Sequence, residues 1–270
     1  MILLYLAVAA AYLAADWFEW RSITLSAAGG SASVATIGRW LPPFAIATHV
    51  VLIAGAIFTA NGLNLSLANV LSAVAALIAL LSWLGTLTRS MPGVAAVAFP
   101  VAAVGAILPA LFPSLHRFSF IAQPWAALHI AVALLAYTLL IVAALQALVL
   151  MALEKRLHRG LPEPGPGALP PLLTLERFLF RLVTAGYVLL TLTLISGALF
   201  SEQIFGKPIT FNHKTVFSLL SWLVFGGLLY GRHRYGWRGR TALNLILAGS
   251  ALLLLAYFGS KFVLEVILGR

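Results

Sequence analysis

The chain contains no cysteine. Disulfides, thiol redox chemistry, iron–sulfur ligation and covalent haem attachment through a Cys-x-x-Cys-His motif are therefore excluded within it, and histidine is left as the natural metal ligand. Charge is scarce as well: Asp, Glu, Lys and Arg make up 9% of the 270 residues, against 62% hydrophobic residues. So few polar side chains cannot cover a soluble globule, and lipid must cover the rest. Strand-like alternation is missing, which speaks against a transmembrane barrel. No basic residue precedes the first apolar run, Met1-Ile2-Leu3-Leu4. That is unlike a secretory signal peptide, so the segment reads as a membrane helix.

What is present comes in apolar runs of about 20 residues, the length that crosses about 30 Å of hydrocarbon as an α-helix. Runs bounded by charge, Pro and Gly give helices near 1–16, 41–60, 67–88, 93–112, 125–152, 175–200, 212–232 and 241–266. The expected fold is all-α: a polytopic integral membrane bundle of about eight transmembrane helices in a single domain. Its one linker is the Pro/Gly-rich stretch at about 160–171, which separates five helices from three. No internal repeat of the kind found in secondary transporters is visible, and the spans hold few acidic residues to relay cations. An ion or small-molecule carrier is accordingly the least favoured class.

The net charge of +10 lies between the apolar runs rather than on a soluble face. It therefore points to membrane orientation, not to nucleic acid. Arg21, Arg39, Arg89, Lys155, Arg156, Arg159, Arg177, Arg181, Arg232, Arg234, Arg238 and Arg240 fall in one set of loops. Arg117, Lys207, Lys214, Lys261 and Arg270 fall in the other. The richer set belongs in the cytoplasm, so both termini are expected on the outer, periplasmic side of a bacterial inner membrane.

Ionisable groups inside hydrocarbon are costly unless they face protein, water or a ligand. His49 lies deep in the second span, His129 one turn inside the fifth, and His213 and His233 at the two ends of the seventh. A buried histidine is more often a neutral side chain bonded to a neighbouring helix. Imidazoles from two helices can, however, supply the axial positions of a haem iron, which makes His49 with His233 and His129 with His213 candidate pairs. Lys261 shares a helix face with Glu265, and such a spacing ordinarily makes a structural ion pair. Lys214 and Lys261 also suit the carboxylates of a bound haem. His116 and His158 read as solvated residues, and Trp222 as packing. The other tryptophans form an interfacial belt.

Several segments resemble the cytochrome c assembly family, the CcsA, CcmC and HemX-like proteins, and most closely its eight-helix YpjD-like branch. Pro124-Trp125-Ala126-Ala127-Leu128-His129 is similar to the start of the family helix that carries an external haem-ligand histidine. The order Asn212-His213-Lys214-Thr215, then Ser218 to Trp222, then His233-Arg234-Tyr235-Gly236-Trp237-Arg238-Gly239 is similar to the family pattern over the last helices. The resemblance implies non-covalent haem b, with His49 and His233 as the membrane-embedded ligands (the metal candidates together with His129) and His129 as one external ligand. Two departures stand beside it. Residues 201–211 lack the family's Trp-rich motif, and His213 falls near the place of its Asp. The second external histidine would follow the eighth helix, where the chain ends at Gly269-Arg270. The expected function is a haem-binding or haem-handling inner membrane protein that need not catalyse anything. The alternative is a non-haem scaffold or regulatory subunit with other membrane proteins as partners.

Overall fold

A computed structural model describes residues 2–25, 32–59, 62–88, 91, 93–113, 117–118, 124–159, 172–199 and 213–259. The linker at 160–171, His116, Lys261 and Glu265 lie outside the described residues. Eight α-helices are described: α1 (Ile2–Leu25), α2 (Ala32–Ile57), α3 (Leu67–Leu87), α4 (Ala95–Leu111), α5 (Pro124–His158), α6 (Leu172–Leu199), α7 (His213–Tyr235) and α8 (Gly239–Leu254). A π-helical turn, Leu255–Gly259, continues α8. Short extended pieces at Phe58–Thr59, Gly62–Asn64 and Arg117–Phe118 lie between helices. Seven helices are long and apolar enough to cross a membrane, and α4 is a shorter apolar helix of 17 residues.

Several helices run further than their apolar stretches. The first continues beyond Asp16 to Leu25, and the second begins at Ala32, ahead of Pro42 and Pro43. Charged side chains at a membrane surface can reach water while their backbone stays helical, so charge ends a hydrophobic run without ending a helix. Proline, for its part, already has the helical φ, so a helix can run on through it at the cost of a donor bond and of crowding against the carbonyl four residues earlier.

The described residues group into two compact units, and α5 and α6 supply residues to both. Unit 1 holds α1 to α4, residues 148–158 of α5 and the start of α6. Its core is built mainly of small side chains: Ala9 and Ala15 from α1, Ala45 from α2, Ala79 from α3, and Ala95, Ala102, Ala103 and Ala106 from α4. Tyr12 and Phe99 are the large members. Apolar burial does not drive association between helices that are already in lipid. Close backbone approach and dispersion do, which is why alanine and glycine line these contacts. Gly105 of α4 shows the closeness, since a Cβ added there would collide with the Cβ of Ala75 on α3. The turn into α3 is pinned by its own polar groups. Ser66 accepts from the Asn69 amide at 3.4 Å, and the Asn69 side chain donates to the Asn64 and Ala56 carbonyls at 3.0 and 3.4 Å.

Unit 2 holds α7, α8, the first part of α5 and most of α6. Polar pins cross between its helices: Ser221 donates to the Gly249 carbonyl at 2.8 Å, and Ser250 to the Leu140 carbonyl at 3.1 Å. Trp222 does more than fill space. Its indole N–H donates to Thr191 Oγ1 at 2.9 Å while its ring stacks on Tyr187, with centroids 5.7 Å apart.

Gly105→Val should lower the stability of the detergent-solubilised protein by about 1–3 kcal/mol through overpacking. Unfolding midpoints will read this, and an unchanged midpoint would show that α3 and α4 are not in such close contact.

Candidate functional site

His49 is fully enclosed, with 0% exposure. Tyr12 from α1 and Ser72 from α3 hold it on either side. The Tyr12 hydroxyl shares a hydrogen bond with Nδ1 at 3.1 Å, and Ser72 Oγ shares one with Nε2 at 2.9 Å. Both partners are fully buried, and Tyr12 stacks in turn on Phe99 of α4. Three helices of unit 1 are thereby joined through one imidazole whose two nitrogens are both committed to protein. Iron could take Nε2 only if Ser72 released it, so the arrangement as it stands does not fit axial ligation.

His233 is placed differently. It is exposed in the last turn of α7, between Arg232 and Arg234, and belongs to unit 2 whereas His49 belongs to unit 1. His158 is exposed at the end of α5, with its Nδ1 bonded to the Glu154 carbonyl at 2.9 Å. His213 is exposed in the first turn of α7.

His129 lies one turn inside α5 and is half-buried. Its Nδ1 is 2.7 Å from Ser196 Oγ on α6. Ser196 donates its single proton to the Thr193 carbonyl at 3.2 Å. That same proton can turn instead to the imidazole at the shorter distance, so Ser196 holds the ring through Nδ1 without fixing its tautomer. A side-chain partner that orients the ring through one nitrogen is the usual support for a metal-binding histidine. The next residue, Gly197, leaves room beside the ring: a Cβ there would lie 3.4 Å from His129 Cε1.

Other groups gather at the same end of these helices. The Lys214 ammonium, from the first turn of α7, acts on His129 through space. It also lies over the Tyr257 ring, 5.2 Å from the centroid. Tyr257 meets Tyr137 edge to face at 6.0 Å, and the Tyr137 hydroxyl bonds to Ser218. All of these residues belong to unit 2. An oriented imidazole, a cation and aromatic rings fit one axial bond and one carboxylate contact of a haem. Of the residues singled out in the sequence, the structure brings together His129 and Lys214. Tyr12, Ser72, Ser196, Tyr137 and Tyr257 were not singled out. Each is a single polar residue in an apolar run, and only the Ser196-Gly197 pair, small enough for helices to meet, carries a signal in sequence.

Among the described residues no group of three or more His, Cys, Asp or Glu could hold a metal ion. Among the described residues, Asp16, Ser82 and Gln146 have buried side-chain polar atoms without a hydrogen-bond partner. Gln146 is about 25 Å along α5 from His129 at 1.5 Å per residue, so its amide does not extend the His129 cluster.

Comparison with known proteins agrees with this helical frame. The model of the cytochrome c assembly protein family matches residues 38–268. The chain belongs to that family. Inner membrane protein YpjD of Escherichia coli K12 is 33% identical over 207 residues, covering 77% of this chain and 78% of its own. A 28.8 kDa protein of Azospirillum brasilense is 39% identical over 145 residues, 54% of either chain. The cytochrome c biogenesis protein CcsA of Prochlorococcus marinus NATL1A is 34% identical over 85 residues, 32% of this chain and 27% of its own. No solved structure matches. With its membrane-length helices, this family member is a multi-pass protein of the bacterial inner membrane.

A double-mutant cycle on Tyr12→Phe and His49→Leu should give a coupling energy of about 0.5–1.7 kcal/mol, the range for hydrogen bonds between membrane helices. Additive effects on unfolding in detergent would show that the two side chains do not share a bond.

Proposed function

We propose that this family member handles haem b non-covalently in a cytochrome c biogenesis-related role, at the end of unit 2 where α5 and α7 begin. The observation that carries the reading is the chain Thr193–Ser196–His129, which holds the imidazole by Nδ1 beside Gly197. His129 would supply one axial nitrogen, and Lys214 would face a propionate. Haem brings the iron and its redox couple, and the protein's part is to hold it, orient it and tune it. The distribution of basic loops supports placing this end outside the cytoplasm. The family relationship supports the cytochrome c connection, and the printed name of the Prochlorococcus relative points the same way.

Buried His49 has another part in this reading. It holds α1, α2 and α3 of unit 1 together, and the lone ligand of the described site is His129.

Titration of the purified protein with haemin should produce a shifted Soret band. His129→Ala should abolish the shift. Ser196→Ala should weaken binding by about 10-fold or more, as loss of an orienting partner does. His49→Leu should lower stability while leaving the band in the variant that still folds. A band unchanged in His129→Ala would refute the assignment, and a band lost only in folded His49→Leu would return the ligand role to unit 1.

A further inference from the structure

The corner between α7 and α8 is built more elaborately than a loop that only fixes orientation. Within one short turn it carries Arg234, Arg238 and Arg240, all exposed, with the exposed aromatic rings of Tyr235 and Trp237 among them. No acidic residue occurs in the chain between Glu202 and Glu265. Arg232 is occupied otherwise: its guanidinium lies 3.4 Å from the centroid of the Phe180 ring on α6.

Basic residues at the end of a helix often serve its last carbonyls. Here the backbone already does so. Gly236, at φ +69°, turns the chain so that its N–H donates to the Arg232 carbonyl at 3.1 Å, and the Trp237 N–H donates to the Gly231 carbonyl at 3.4 Å. The Trp237 ring is seated against Gly231, where any Cβ would collide with it. It also stacks on Tyr235, with centroids 6.3 Å apart, and Tyr235 meets Tyr230 edge to face. The arginines are thus held around a rigid aromatic ledge and are not needed as caps.

The other half of the corner is the start of α8. Its N-cap is Arg238, with no side-chain cap hydrogen bond. Arginine has only donors, so it cannot serve the first N–H groups of the helix. Backbone donors at the start of α8 and the exposed Arg238 and Arg240 therefore lie within one turn, with exposed Arg234 just before it, and a negatively charged acceptor suits this group of donors. The ledge of tyrosine and tryptophan is suited to the interface between acyl chains and headgroups.

We propose that this corner binds the phosphate of an anionic phospholipid, with Arg234, Arg238 and Arg240 as the donors and Tyr235 and Trp237 against the upper acyl chain. A zwitterionic headgroup would bring its own cation to the same arginines and so would bind less well.

The test is native mass spectrometry of the full chain in mild detergent, given equal amounts of phosphatidylglycerol and phosphatidylcholine. The wild type should retain the anionic lipid over the zwitterionic one by about tenfold, from roughly a few-fold per arginine near a phosphate. The triple variant Arg234→Gln, Arg238→Gln, Arg240→Gln should show no preference. An excess of inorganic phosphate should not displace the lipid, because its chains add to the grip. Equal retention of both lipids by the wild type would overturn the proposal and leave the surface to an acidic partner protein. Displacement by inorganic phosphate would overturn the lipid assignment. Should the glutamine variant not fold, the triple lysine variant decides. It keeps the charge but not the bidentate geometry, so a reduced preference supports a built site and an unchanged one refutes it.

Discussion

A hydrogen-bonding group inside hydrocarbon has no water to turn to, and this one constraint organises the molecule. Helices satisfy the backbone internally, and a polar side chain that points inward is stabilised by a partner on its own helix, as Thr138 is by the Leu134 carbonyl, or on another. Tyr12, His49 and Ser72 meet that demand in unit 1, and Trp222 with Thr191 and Ser221 with Gly249 meet it in unit 2. In unit 1 the buried cluster between these pins is mostly alanine, because close approach is what holds helices together once lipid has removed the drive to bury apolar surface.

The same constraint separates two histidines that look alike in sequence. His49 is satisfied on both nitrogens by protein and so works as a structural tie. His129 is held through Nδ1 by Ser196 on a neighbouring helix, a partner that orients the ring. Depth in the membrane alone would rank them the other way, since the more buried imidazole is the more conspicuous. Which atoms the partners offer decides the chemistry.

Much of the frame was legible beforehand. Length and continuity of apolar runs give eight helices that each overlap an observed one, and the family resemblance is confirmed by the match over residues 38–268. Helix ends were less legible, because Asp16, Arg21 and Pro42 mark the edge of the hydrocarbon and not of the helix. The site was legible only in part. His129 and Lys214 were visible as polar residues at one end of adjacent spans, but Ser196 and Tyr257 gain meaning only when α6 and α8 are set beside α5 and α7. The corner after α7 was read as an orientation signal. That its glycines form a cap, and free the arginines from that task, depends on the sign of φ at Gly236, which composition does not reveal.

The central claim is that the imidazole of residue 129 itself supplies the bond to haem iron. Adding free imidazole to the haem-exposed His129→Gly protein measures this most directly, since a small ligand can enter the space that the side chain vacates. The account predicts that the wild-type absorption spectrum returns as imidazole is added and saturates. A variant that shows the wild-type spectrum before any imidazole is present would contradict it.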